Sequence, residues 1–151
     1  MKKILVLFIF LYGHLFALDK ESTLNLYQHV FSALSSAHPV FVYVEDPEYK
    51  AVFADADTMV LAKRMEEADV ILITNRRMLD KVLHQKDLHL YQDKKPLLFA
   101  TDYHILKDSK EVVGALYWKK GRSQLLFVKN RLKALGIVLS GEYHKYIIEA
   151  L

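Results

Sequence analysis

The heptapeptide DVILITN, Asp69–Asn75, holds four consecutive apolar residues, Val70 to Ile73, and three of them are β-branched. A strand with one wet face alternates apolar and polar side chains. A run that is apolar throughout predicts a strand buried on both faces, as in a parallel sheet covered by helices. The next residues, NRRMLDKVLHQKDL, place Met78, Leu79, Val82 and Leu83 at helical spacing, with Asn75 positioned as the N-cap. PLLFATD, Pro96–Asp102, then repeats the continuous apolar pattern. Strand, helix and strand in that order are the unit of an α/β fold.

The reading extends in both directions. Upstream, STLNLYQHVFSALSS spaces Leu24, Tyr27, Val30, Phe31 and Leu34 as one face of a helix, with Ser22 or Thr23 as candidate N-cap and His38-Pro39 beyond its end. VFVYVED, Val40–Asp46, is rich in β-branched and aromatic residues and predicts a strand. Asp46 is placed to cap a helical turn led by Pro47. MVLAKR reads as a short strand, although TMVLAKRMEEA also fits a helix. Downstream, YHILKDS is a helical turn. VVGALYW and SQLLFVKN are strand-like runs around KKGR, where Gly121 can take the positive φ of a tight hairpin. RLKALGIVLSGEYHKYIIEAL reads as helical material interrupted around Gly136 to Gly141. The expectation is a single three-layer α/β domain. Its sheet is mostly parallel, with three or four parallel strands and a mixed edge, followed by a C-terminal β-hairpin and a terminal helix.

The chain opens MKKILVLFIFLYGHLFA: Lys2 and Lys3, then an apolar run from Ile4 to Phe16, then the small Ala17. This is the layout of a secretory signal over residues 1–17. The run is short for a bilayer span of roughly 20 residues, and an uncleaved anchor is the alternative. No cysteine follows, which excludes a lipoprotein. The expected address is the periplasm, with no stable membrane insertion after cleavage. Residues 18–151 would form one domain, long enough to bury a core. Without Lys2 and Lys3, 19 basic residues face 18 acidic ones. A nearly neutral surface argues against a generic nucleic-acid binder. The absence of cysteine removes thiol catalysis, iron–sulfur ligation and cysteine-type zinc sites.

Two clusters are candidates for binding. The first is the hairpin tip, Trp118, Lys119, Lys120 and Arg122. It has no phosphate-loop pattern, so it reads as a solvated turn or as a contact for an acidic protein partner. The second is a polar rim of Asn75, Arg76, Arg77, Asp102 and His104, placed after two parallel strands. Ligands bind at that end of open α/β sheets, and two arginines near a helix N-terminus favour an anion. Capping and loop polarity explain the same residues. Asp80 and His84, four apart on a helix, could join His89 around a metal, but no tight ligand motif accompanies them. Glu45, Asp46 and Glu48 read as capping charge. No GxSxG is present, and Asp102 with His104 lacks an evident serine partner. No enzyme, cofactor or metal is expected.

Several of these elements together resemble the C-terminal part of the YfiR-like family of small periplasmic α/β proteins. The residues that carry the resemblance are Gly114, Gly121-Arg122, Leu125 to Val128, Gly136-Ile137 and Leu139-Ser140. DVILITN, its helix and KPLLFATD match the family's middle in order and spacing, and LYQHVFSALSSAHP its first helix. The chain has Val113-Gly114 where many members have paired glycines, and it lacks the cysteines members commonly carry. The resemblance implies a regulator that docks on the sensor region of an inner-membrane diguanylate cyclase and restrains it. ADVILITN and KPLLFATD also resemble core strands of one lobe of periplasmic substrate-binding proteins, which implies a small-ligand or anion-binding module as the alternative.

Overall fold

The computed structural model describes residues 20–87 and 95–151. The expected signal segment and His89 lie outside the described residues. Helix α1 (residues 20–34) precedes β1 (Val40–Tyr43), α2 (Pro47–Phe53) and β2 (Met59–Leu61). A 3-10 turn (Met65–Glu67) leads to β3 (Val70–Ile73), α3 (Arg76–Asp87), β4 (Leu97–Ala100) and α4 (Tyr103–Asp108). The chain ends with β5 (Val112–Lys119), β6 (Arg122–Val128), α5 (Lys129–Ala134), a 3-10 helix (Gly141–Tyr146) and β7 (Ile147–Ile148).

The strands form one sheet in the order β2-β1-β3-β4-β5-β6-β7. The first five are parallel. β6 returns antiparallel to β5, and β7 runs parallel to β6. The four residues of β3 are fully buried, because the sheet is covered on both sides at its centre. Their side chains alternate between two cores. Val70 and Leu72 join α1 and α2, while Ile71 and Ile73 join α3 and α4. This is the three-layer α/β domain expected from the sequence.

Local chemistry sets the element boundaries. The Asp46 carboxylate accepts from the backbone N–H groups of Glu48 (2.8 Å) and Tyr49 (3.4 Å), and Pro47 begins α2. Asn75 Oδ1 accepts from Met78 N at 2.9 Å and starts α3. Lys120 (φ 52°) and Gly121 (φ 75°) make the two-residue β5–β6 turn, where two positive φ values match the twist of the strands.

The expectation differs from the structure in three places. Ser22 and Thr23 lie inside α1, whose helical backbone already includes Lys20. Lys20 is tied to Asp55 at 3.1 Å, so the helix extends past the proposed caps. The parallel part of the sheet has five strands, because the three-residue β2 pairs fully with β1. MVLAKR does hold the expected short strand, β2, and the Met65–Glu67 part of the alternative helix is a 3-10 turn. In place of a terminal helix, the chain ends in the Gly141–Tyr146 3-10 helix and β7. The Ile147-Ile148 pair finds a sheet edge at Phe127 and Val128, and backbone pairing there outweighs continuation of a helix. Tyr143 fixes the 3-10 helix by donating its hydroxyl to His29 O at 3.2 Å.

Arg131 on α5 is the least expected structural residue. Its Nη1 lies 2.7 Å from the carbonyl oxygens of Leu106, Ser109 and Val112. These oxygens mark the end of α4 and the entry to β5, where helical partners run out. Arg131→Ala leaves them without that donor. A loss of roughly 3 kcal/mol is expected, from charge-assisted hydrogen bonds and desolvated acceptors. Urea unfolding checks it. Arg131→Lys should recover only part of the loss, since the shorter side chain has to bring its ammonium to the position that Nη1 occupies.

Burial also sets an alkaline limit. Tyr27 is enclosed by aromatic rings, and desolvation pushes its phenol well above the ordinary tyrosine value. Tyr49 and Tyr143 are raised for the same first reason. An unfolded tyrosine ionises near about pH 10. The folded state holds these protons more tightly, so their contribution is complete below that pH and is lost as pH rises toward the folded values. Stability measured by urea unfolding should therefore fall above about pH 10. Tyr27→Phe should flatten that fall.

Candidate functional site

In open α/β sheets the carboxyl ends of the parallel strands are where ligands bind. Strand order reverses between β1 and β3, and in doubly wound sheets this switch point opens a crevice for ligands. Here it is spanned. Glu45, just after β1, pairs with Lys81 of α3 and accepts from the Tyr43 hydroxyl at 3.2 Å. The Lys81 ammonium holds the Glu45 carboxyl below its usual range. Asp46 is occupied with capping α2.

Beside it, a shallow depression of about 410 Å³ lies at the ends of β3 and β4. Asn75, Arg76, Asp102 and His104 line it with Thr74, Ile105 and Asp108. The fold thus brings together four of the five rim residues expected from the sequence. Arg77 does not line it. The polar groups are already matched to one another. Arg76 bonds Asp108 at 3.1 Å and faces Asp80 at 3.4 Å. Asn75 caps α3, and the Asp102 carboxylate accepts from His104 N at 2.6 Å. Two carboxylates against one guanidinium leave no net positive charge for an anion. Capping and surface pairing account for this rim.

The hairpin tip is different. β5 and β6 pair as far as Lys119 opposite Arg122. Trp118 is 64% exposed, the most exposed aromatic side chain among the described large apolar residues. Lys119, Lys120 and Arg122 are also exposed, and none has an acidic partner among the described residues. Opposed residues of an antiparallel pair share a face. Trp118 and Ser123 therefore stand on one side of the ribbon, and Lys119 with Arg122 on the other. Further down, Tyr117 packs on Tyr103 at 5.6 Å, which ties the ribbon to α4. β7 pairs only with Phe127 and Val128. Among the described residues, the outer edge of β6 from Arg122 to Leu126 carries no strand partner, and its backbone groups can accept an added strand.

The described histidines do not converge. Asp80 faces Arg76, four residues before it, and not His84. His29 Nδ1 lies 2.7 Å from Asn25 O within α1. Among the described residues, no three His, Asp or Glu side chains are grouped to hold a metal.

One feature had no sequence signal. A cavity of about 1060 Å³ opens at the opposite end of the sheet, where β4 and β5 begin and β6 ends. Buried Val82, Leu98, Val113 and Val128 line it, with Lys86, Lys95, Lys110 and Glu111 also in its wall. Its residues come from five separated stretches of chain, so no local pattern announces it.

No family model matches the chain, and no curated protein matches it in sequence. The fold is similar to a solved structure described as a conserved domain protein from Vibrio cholerae O1 biovar El Tor. The TM-score is 0.55 at 12% identity, and the match covers 85% of this chain. This chain spans 58% of that one, and the likeness is one of fold. Among the described residues, no helix is long and apolar enough to cross a membrane.

Proposed function

We propose that this chain is a periplasmic, non-enzymatic regulatory module of the YfiR-like kind. On this reading it acts by binding the sensor part of an inner-membrane signalling protein, with a diguanylate cyclase as the candidate partner. The observation that carries the reading is the β5–β6 hairpin: an exposed Trp118 and, among the described residues, three cations without acidic partners and an open β6 edge. Tryptophan and arginine are the side chains most enriched at energetic centres of protein interfaces. Cations facing water would steer an acidic partner surface and set its register. Regulation then requires that the module bind one state of the partner more tightly than another. The polar rim competes poorly for the role of primary site, because Arg76 is neutralised by Asp80 and Asp108.

Crosslinking and capture from source cells expressing the tagged full chain tests the proposal. Lys119→Glu with Arg122→Glu should reduce recovery of a membrane sensor protein at least about tenfold, the equivalent of about 1.4 kcal/mol. Stability should move by less than about 0.5 kcal/mol, since the tip is solvated. Arg76→Ala should leave recovery unchanged. Loss of capture with Arg76→Ala and not with the hairpin variant would transfer the contact to the rim.

A further inference from the structure

We infer that the β2 edge of the sheet is an interface between two copies of this chain, paired antiparallel about a two-fold axis at Val60. It lies at the other end of the sheet from the hairpin and does not depend on the reading of the hairpin. β2 pairs with β1 on one side and has no strand partner on the other among the described residues. An open edge is a template for another strand. The Thr58 carbonyl accepts from Val40 N at 3.0 Å, and Ala62 N donates to the Val42 carbonyl at 2.9 Å. Backbone groups alternate in direction along a strand, so those of Val60 also turn toward β1, and those of Met59 and Leu61 turn outward. Gln28 of α1 anchors the entry to β2, since its Oε1 accepts from Asp57 N at 2.8 Å and from Thr58 N at 3.2 Å. Beside this edge the surface is apolar. Val60 is 41% exposed and stands opposite Phe41 of β1, which is 38% exposed, on one face of the sheet.

The strand is complementary to itself, which selects a second copy as its occupant. In an antiparallel pair centred on Val60, Met59 meets Leu61 of the second copy, and Leu61 meets its Met59. Both residues turn their backbone outward, so these are the hydrogen-bonded pairs. Val60 meets Val60 in a non-hydrogen-bonded pair, where side chains approach most closely. The two Phe41–Val60 pairs then join into one apolar strip across the axis. The flanking charges match as well. Asp55 is tied to Lys20 and Arg64 to Glu67. Asp57 and Lys63 are exposed and have no ion-pair partner among the described residues. One precedes β2 and the other follows it, at equal separations from Val60. Antiparallel pairing brings Asp57 of each copy to Lys63 of the other. Parallel pairing would set like charges together. The contact is isologous and closes as a dimer, with the two hairpins at the far ends of one continuous sheet.

Sedimentation velocity of the purified protein tests the assignment. A concentration-dependent dimer is expected, with a Kd on the order of 10 µM because the contact is small. Val60→Lys sets two ammonium groups across the axis and should leave only monomer, with an unchanged circular dichroism spectrum. Asp57→Lys and Lys63→Glu should each weaken the dimer at least about tenfold, since each sets like charges opposite one another. An equimolar mixture of those two proteins should dimerise again, because each then meets the opposite charge. Lys119→Glu with Arg122→Glu should leave the dimer intact. Monomer alone up to about 1 mM would overturn the assignment. So would a dimer indifferent to Val60→Lys, a mixture that stays monomeric, or a dimer lost with the hairpin charges.

Discussion

Gly114→Val is expected to lower stability by roughly 3 kcal/mol or more, and to depress the midpoint of thermal unfolding by about 10 °C in a domain of this size. A Cβ built on Gly114 would lie 2.7 Å from Leu126 O, 2.7 Å from Phe127 Cδ1 and 2.9 Å from Phe99 Cε2. The oxygen belongs to the paired backbone of β6 and cannot rotate away. The cause is a bulge: Leu98 pairs with Val112, but Phe99 pairs with Gly114, so Val113 is the extra residue. The strand can then lie flat against two phenyl rings only where there is no side chain. Gly141→Ala is the control. Nothing lies within 4 Å of its Cβ position, and stability should change by less than about 0.5 kcal/mol. Urea and thermal unfolding of the three proteins decide the matter.

Phe99→Ala should cost about 4 kcal/mol. Phe99 has no exposed surface and sits at the centre of an aromatic group. Its ring is 5.5 Å from Phe31, 6.1 Å from Phe127 and 6.5 Å from Tyr27. These partners come from α1 and β6, so the one ring joins the first helix to the hairpin. Removing it leaves a cavity between rigid elements that cannot collapse onto one another. Phe41→Ala makes the contrast, since Phe41 is 38% exposed near the β2 edge and should cost no more than about 1 kcal/mol. Equal losses at the two positions, measured by urea unfolding, would contradict the packing described.

The central sheet was legible because burial on both faces leaves a local signature. Val70 to Ile73 and Leu97 to Ala100 are apolar without interruption, and both are interior parallel strands. Asp46 and Asn75 announced the helix starts through their side-chain chemistry, and Gly121 announced the turn. The end of the chain was not legible. β7 is two residues long, and its pairing with Phe127 and Val128 depends on a strand twenty residues earlier. The role of Arg131 was hidden for the same reason, since its three acceptors lie 19 to 25 residues away. At the candidate sites, composition and order placed Asn75, Arg76, Asp102 and His104 at one sheet end. They could not indicate that Asp80 and Asp108 would neutralise the arginine. The hairpin turn at Lys120-Gly121 was legible, but only the strand register places Lys119 and Arg122 on the face opposite Trp118.

Site-specific photocrosslinking tests the central claim that the hairpin is the docking surface. A photoreactive residue would replace Ser123, which is exposed and opposite Trp118, and in a second protein would replace Lys63, which is exposed and remote from β6. Irradiation in source cells should join the Ser123 protein, and not the Lys63 protein, to a membrane signalling protein. Adducts from Lys63 alone, or none from Ser123 in cells where capture succeeds, would contradict the assignment of the hairpin as the contact surface.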